Sequence, residues 1–405
     1  MARTRFLLLL WQWLLTGVVA ALSASSNNNN NNMSHNNNRQ RPPPSLPSKL
    51  LIAYATDCNP DDKSERGVLQ AVRNGINVVI WSFMEIHSNS DNDDSPPRIE
   101  YNSLDFDCIQ TIIQQLDKEG YTDTVHLVSF GGWNGPHLDP HLSAQVWYDT
   151  WKQAAGHVFD GLDWDLEGHN DLHSPTNVFT VECLDKMGQI SRLAKRDGYS
   201  IGMAPPQSYL DVHTPRFSRA VNLTDNDHDR TWHADFSYFG ANVYAVLLAK
   251  YGDAIDFVSI QFYESYSRAA MNIYHDGVPP EIYLQRYVRD LVEETGGSFA
   301  VHFQDDEAMG LPNQRVPLPL SKLVWGFANG WALDTEDKAL YVSPKAIESA
   351  YVALSNAGIP PRGFMFWVLG EEGKHDIQYT KELNNILEIR SSQNDVSKLK
   401  ETKEL

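Results

Sequence analysis

Cysteine is scarce, with three residues in a chain of 405. That excludes a small disulfide-stapled scaffold and requires a packed core of ordinary size. Cys58 and Cys108 fall near expected strand or helix ends and could pair. Cys183 follows a helical apolar pattern with Met187 and Ile190, so it is expected in the core. Positive charge is also short: 33 Lys and Arg against 52 Asp and Glu give a net charge of −19. This excludes a nucleic-acid partner held by a basic surface. Beyond the first few dozen residues no apolar run is long enough to span a membrane. No glycine-rich nucleotide fingerprint follows the first expected strand, which counts against a dinucleotide-binding sheet.

The two ends of the chain have their own composition. Arg3 and Arg5 precede the apolar run Phe6–Leu22, and the small residues "AALSAS" follow. This is the pattern of a secretory signal, expected over 1–24 with cleavage near Ser23 or Ala24; the rival reading is an uncleaved signal anchor, disfavoured because the run is short for a spanning helix and contains Gln12. Residues 25–48 are rich in Asn, Ser and Pro and read as a disordered linker. The polar stretch 391–405 reads as a tail, leaving 49–390 as the globular part. Of the sequons at Asn32 and Asn222, Asn222 lies in a polar loop and is the better glycan acceptor. The expected location is extracellular. The alternative is the endoplasmic-reticulum lumen, because the terminal Thr-Lys-Glu-Leu shares its last two residues with a retrieval signal.

What the chain does have is alternation. Strand patterns at Leu50–Ala55, Asn77–Phe83, Val125–Phe130, Gly161–Glu167, Ser200–Ala204, Phe257–Phe262, Leu323–Phe327 and Gly363–Val368 are each followed by an amphipathic helical segment. These segments fall at 65–74, 104–118, 143–155, 177–196, 236–250, 280–294, 343–356 and 376–389. Strict alternation implies a parallel sheet with helical crossovers. Eight units favour a closed (β/α)8 barrel of the α/β class, with an open doubly wound sheet as the other possibility. In a barrel the site forms at the C-terminal ends of the strands.

The fourth strand carries the most unusual chemistry, "FDGLDWDLEG" at 159–168. Side chains alternate faces, so Asp163, Asp165 and Glu167 share one face while Leu162, Trp164 and Leu166 face the helices. Three carboxylates inside a barrel cannot all ionise cheaply. Desolvation and mutual repulsion should raise at least one pKa, which is what a general acid needs near neutral pH. Two other readings exist. A solvated acidic loop would not alternate with apolar residues. A calcium or magnesium site would need further oxygen or imidazole ligands from other strands, whereas those strand ends offer Tyr, Trp, Gln, Phe and Met. His137 and His141, and His169 and His173, have ligand spacing but lie in Pro- or Asp-rich loops and read as surface histidines. No metal and no cofactor are expected.

The spacing Asp160-x-x-Asp163-x-Asp165-x-Glu167 resembles the signature of glycoside hydrolase family 18, the chitinases and endo-β-N-acetylglucosaminidases. "LVSFGGW" is similar to that family's third strand, "MAPPQ" and "IQFYE" to the fifth and sixth strands of its plant class III, hevamine-like branch, and "GFMFW" to the last strand. "GFANGWALDTEDKALYVSP" is similar to the turn after strand seven. Only about 30 residues separate strands seven and eight, leaving no room for the extra small domain of the deep-groove branch. The segments "YATDCNP" and "DNDDSPP" depart from the family pattern.

The resemblance implies roles at matching positions. Glu167 would be the general acid and then the base. Asp165 would orient the substrate acetamido group and stabilise an oxazolinium ion, and Asp163 would share a proton with Asp165. Tyr263 would hydrogen-bond the acetamido oxygen with Gln261 beside it, and Trp367 would floor the subsite of the cleaved sugar. Tyr54, Phe83, Gly132, Trp133 and Met203 are further candidates for substrate contact, although Tyr54 and Phe83 could equally plug the barrel and Met203 could be core. Asp160 is expected to be structural. The activity implied is hydrolysis of β-1,4-linked N-acetylglucosamine polymers such as chitin, by retention and substrate assistance. An endoglycosidase acting on N-glycans is the alternative enzyme. A chitin-binding lectin is the non-enzymatic one, though such lectins commonly lose the acid that Glu167 supplies here. No membrane partner is expected after signal cleavage, and a monomer is expected.

Overall fold

The computed structural model describes residues 43–388, except 89–95, 102–103, 134, 168–176, 222–240, 265–266, 294–295 and 335–338. All of them belong to one compact unit, 39–405. The expected signal, most of the linker, the sequon at Asn222, the pair His169 and His173, and the tail lie outside the described residues.

The eight expected strands all form. They are β1 (Leu50–Ala55), β2 (Val78–Trp81), β3 (Val125–Gly132), β4 (Gly161–Leu166), β5 (Ser200–Met203), β6 (Phe257–Gln261), β7 (Leu323–Ala328) and β8 (Gly363–Trp367). Each pairs in parallel with its neighbour in the chain, and β1 pairs with β8 to close the barrel. Between and after them run α1 (Val68–Arg73), α2 (Phe106–Glu119), α3 (Ala144–Ala154), α4 (Val181–Arg196), α5 (Ala245–Tyr251), α6 (Pro280–Glu293) and α7 (Pro344–Asn356). Residues 379–388 form a last helix, α8. The fold is a (β/α)8 barrel. Among the described residues, no helix is long and apolar enough to cross a membrane.

Local chemistry explains the helix starts. Asp105 caps α2 by accepting from the backbone N–H groups of Asp107 and Cys108, and Ser143, Thr180 and Ser343 cap α3, α4 and α7 in the same way. Gly120 ends α2 at φ 95°, a left-handed position suited to glycine.

Strand alternation divides the core in two. Leu51, Ala53, Val79, Val128, Leu162, Trp164, Ile201, Met203, Ile260, Trp325 and Phe366 pack outward in the layer under the helices. Leu50, Ile52, Tyr54, Val78, Ile80, Leu127, Ala204, Phe257, Val324 and Met365 fill the barrel interior. Register is pinned at the critical strand. Trp164 is fully buried, and its indole N–H donates to Ser191 Oγ of α4 at 2.9 Å. Slipping β4 by one residue would drive that indole into the interior and the carboxylates into the helical layer.

Three small antiparallel pairs were not foreseen: Met84–His87 with Arg98–Tyr101, Asn177–Val178 with Ala220–Val221, and Ser298–Val301 with Gln314–Pro317. They are two to four residues long and mix charged with apolar residues, so their periodicity is too short to read. Cys58 and Cys108 form a disulfide, with Cα atoms 6.2 Å apart, tying the segment after β1 to α2. Cys183 is a free, buried thiol, pushed up to about 11 chiefly by desolvation.

Candidate active site

β4 lies between β3 and β5, with Asp163 opposite Ser129 on one side and Gly202 on the other. Asp163 sits deepest. Its Oδ2 accepts from the Tyr54 hydroxyl at 2.6 Å and from Ser129 Oγ at 2.9 Å. Gly202 makes room for it, since a Cβ there would come within 2.6 Å of Asp163 Oδ1. Asp165 is next along the strand, and its Oδ1 accepts from Gln261 Nε2 at 2.7 Å. Gln261 is fixed in turn by donating to the Ala204 carbonyl at 2.6 Å. Glu167 follows the last residue of β4. Its main chain is held by two buried tyrosines: Tyr209 donates to the Glu167 carbonyl and Tyr244 to the Leu166 carbonyl.

All three carboxyls are at most 4 % exposed. Burial raises Asp163 to about 6 against the hydroxyl donors that favour its charge. Asp165 is also raised well above the ordinary carboxylate range, by desolvation and then by the Glu167, Asp163 and Glu264 carboxylates. Glu167 is raised well above the ordinary range by desolvation and then by Glu264, while hydrogen bonding with Gln261 and Asp165 opposes the rise. Like charges this close cannot all ionise, so Asp165 and Glu167 keep at least one proton between them near neutral pH. Glu167 Oε2 is buried and has no hydrogen-bond partner within the protein. An acid with a free oxygen at the floor of a cleft is poised to give a proton to whatever enters.

The row opens into a cleft of about 330 Å3 lined by Phe83, Glu85, Gly131, Gly132, Trp133, Gly135, Asp165, Glu167, Tyr263, Glu264, Trp331 and Trp367. The glycines of "SFGGW" are steric requirements. A Cβ on Gly131 would lie 2.4 Å from the Asp165 carbonyl, and one on Gly132 would lie 2.7 Å from the Phe83 ring. Both residues also have positive φ, 109° and 79°. Phe83 stacks on Trp367 at 6.1 Å, Trp331 meets Trp367 edge-on at 6.4 Å, and Tyr263 meets Trp331 edge-on at 6.3 Å. Trp367 is anchored through its main chain, with the Asn329 N–H donating to its carbonyl at 2.9 Å. The peptide bonds Ser82–Phe83 and Trp367–Val368, at two of these rings, are cis.

The structure thus brings Glu167, Asp165, Tyr263, Phe83, Gly132, Trp133 and Trp367 to one cleft, with Asp163 beneath it. Three of the substrate-contact candidates lie outside the cleft, and for Tyr54 and Met203 this is the buried alternative left open by the sequence. Met203 is fully buried on the outer face of β5, because alternation turns Gly202 and Ala204 inward instead. Tyr54 is buried beneath the cleft as a donor to Asp163, and Gln261 lies behind Asp165 as its donor. Asp160 precedes β4 at the far end from the cleft, where its Oδ2 accepts from the His126 N–H at 2.7 Å. His137 packs on the Phe179 ring at 4.2 Å, so it is half-buried rather than a surface residue, whereas exposed His141 pairs with Asp139 at 3.1 Å.

Sequence reasoning passed over Glu264, Trp331, Tyr209 and Tyr244. Glu264 follows Tyr263 and Trp331 lies in the quoted "GFANGWALD" segment, so position alone could have found both. The two tyrosines act through main-chain carbonyls and leave no pattern.

No protein-family model matches the chain, and no curated protein sequence matches it. Solved structures do. A family 18 chitinase from Chromobacterium violaceum superposes with a TM-score of 0.54 at 15 % identity, covering 85 % of this chain and 85 % of that one. A Streptomyces coelicolor protein assigned as chitinase A superposes with a TM-score of 0.50 at 16 % identity, covering 84 % of this chain and 99 % of that one. Identities this low establish the shared barrel. The class defined by fold and site together is a (β/α)8 barrel with a buried carboxyl row at the C-terminal ends of its strands.

Proposed function

We propose that this chain is a retaining glycoside hydrolase of the family 18 type, cleaving β-1,4-linked N-acetylglucosamine polymers with the substrate acetamido group as nucleophile. The observation that carries the proposal is the carboxyl row itself: a buried, proton-retaining Glu167 at the cleft floor with Asp165 on the same strand. Glu167 gives its proton to the leaving oxygen. Asp165, aligned by Gln261, sits on Glu167's own strand and is placed to grip a substituent below the ring rather than to attack the anomeric carbon. An acetamido group whose N–H donates to Asp165 and whose carbonyl oxygen accepts from the Tyr263 hydroxyl attacks intramolecularly through that oxygen, at high effective concentration. Asp165 then balances the developing positive charge, supported from below by Asp163 and Tyr54. The faces of Trp367, Phe83, Trp331 and Trp133 suit the apolar faces of pyranose rings. The retained acid also favours an enzyme over a chitin-binding lectin. The N-terminal pattern is consistent with secretion, which fits an extracellular polymer.

A second reading has one observation behind it. Glu264 and Glu85 bring carboxylates into the cleft from outside β4, so a protein nucleophile opposite Glu167 is available in principle. Substrates without N-acetyl groups separate the two. Under substrate assistance, chitin oligomers are cleaved with a β-anomeric first product and fully deacetylated chitosan resists. Rapid chitosan hydrolysis would establish the protein-nucleophile reading. Parallel assay on a high-mannose glycoprotein distinguishes a chitinase from an N-glycan endoglycosidase.

A further inference from the structure

The hairpin formed by Met84–His87 and Arg98–Tyr101 follows β2 and borders the cleft, yet the proposed chemistry does not use its outer face. Cross-strand pairing sets Glu85 opposite Glu100 and His87 opposite Arg98. Met84 and Ile86 turn into the core, so alternation presents Glu85 and His87 together on the other face. Among the described residues, Glu85, His87 and Glu100 form the one group of three ligating side chains whose ligand atoms all lie within 4.8 Å of one another. His87 Nε2 is 2.8 Å from Glu85 Oε2 and 4.0 Å from Glu100 Oε2.

The geometry points to a mononuclear binding site for a divalent transition cation of the zinc class, held by His87 Nε2 and one oxygen each of Glu85 and Glu100. Ligand atoms bonded at about 2 Å around tetrahedral zinc lie about 3.3 Å apart. The two observed separations bracket that value, so small rotamer adjustments bring all three onto one ion. The chemistry is selective: a neutral imidazole with two carboxylates suits zinc, cobalt or nickel better than magnesium or calcium, which prefer oxygen alone. Arg98 contributes as an orienting partner. Its guanidinium takes Glu100 Oε1 at 3.0 Å, turning Oε2 toward His87. The side chains of Glu85 and His87 are only 18 % and 24 % exposed and are largely ordered before binding, whereas Glu100, 44 % exposed, is the ligand that must be drawn in. Three protein ligands leave a position for water. Because Glu85 also lines the cleft, the ion would sit at the cleft rim. The site is independent of the glycosidase reading and stands or falls separately.

The test is titration of chelator-treated full-length protein with Co2+, followed by visible d–d absorption, and with Zn2+ by calorimetry. One equivalent should bind, with the intense visible bands of a low-coordinate cobalt ion. His87→Ala and Glu100→Gln should each weaken binding at least tenfold with the circular-dichroism spectrum unchanged. His275→Ala, which alters an exposed histidine–carboxylate pair with Asp276 away from the hairpin, should leave binding unchanged. Failure to bind one equivalent, or equal binding by wild type and His87→Ala, overturns the site and reduces the trio to an ordinary ion-pair cluster. Loss of the hairpin fold in His87→Ala would be seen in the spectrum, and Glu100→Gln then decides.

Discussion

Replacing Asp163 by Asn tests the electrostatics of the carboxyl row without reference to any substrate. Asp163 is held at about 6 in the fold against 3.8 in an unperturbed chain. The folded state therefore binds this proton more tightly than the unfolded state. The stabilisation that follows is fully present below about pH 4 and is lost as pH rises through 6. A rise from 3.8 to about 6 corresponds to a ceiling of about 3 kcal/mol, most of which is lost between about pH 4 and pH 7.5. Asn cannot ionise and escapes that loss. It keeps an oxygen for the Tyr54 hydroxyl, but its NH2 replaces an Oδ1 that has no partner, a buried-donor cost of about 1–3 kcal/mol. That cost does not depend on pH, so it cancels in the comparison. Urea unfolding of both proteins at the two pH values should show the variant gaining about 2–3 kcal/mol on wild type from the acid to the neutral condition. A stability difference that stays flat with pH would refute the reasoning, because Asp163 would then not be held protonated. Activity should fall in the same variant, since removing the Asp163 charge changes the electrostatics that raise Asp165.

Glu167→Gln removes the proton donor at nearly constant volume and should lower turnover on chitin oligomers by about 10²–10⁴-fold while oligomers still bind; near-normal turnover would remove Glu167 from the acid role. Glu264→Gln takes away the like charge that raises Glu167. The glutamate then loses its proton at lower pH, so the alkaline limb of the kcat/KM profile should move toward acid; an unmoved limb would show that desolvation alone sets the acid. Replacing Cys58 and Cys108 by Ser opens a crosslink between residues 50 apart. Loop-closure entropy puts the loss at about 4 kcal/mol, read as a lower urea midpoint with unchanged activity at room temperature.

The barrel was legible because its signal is periodic and long. Eight apolar strand patterns separated by amphipathic segments leave few topologies, and helix caps such as Asp105 and Ser143 mark where those segments begin. The small antiparallel pairs were hidden for the opposite reason. "MEIH" and "RIEY" alternate over four residues each, too few to separate from loop, and their pairing depends on where β2 delivers the chain.

The site was legible to the extent that alternation alone decides orientation. It puts Asp163, Asp165 and Glu167 inside and Trp164 outside, as found. Met203, left open between core and substrate contact, goes to the core: the parity of β5 is fixed by Gly202 facing Asp163, a cross-strand relation that a single strand cannot display. Tyr54 and Gln261 show a different limit. Both were candidates for substrate contact, with plugging the barrel left open for Tyr54, and neither was foreseen as a donor to a carboxylate, because whether a polar side chain meets ligand or meets a carboxylate depends on which layer of the barrel it occupies. That layer is set by stagger between neighbouring strands, and Tyr54 on β1 falls level with Asp163 rather than with Glu167. The consequence is functional. Residues that resemble substrate contacts in sequence form a scaffold of hydroxyl and amide donors beneath the row. These donors favour ionised carboxylates while burial favours neutral ones, and the balance leaves Asp163 near 6 and keeps a proton on the Asp165–Glu167 pair above it. A sequence motif can specify that carboxylates are present. The proton's location is settled by the donors behind them, which come from β1, β3 and β6 and are separated from β4 by as many as 109 residues.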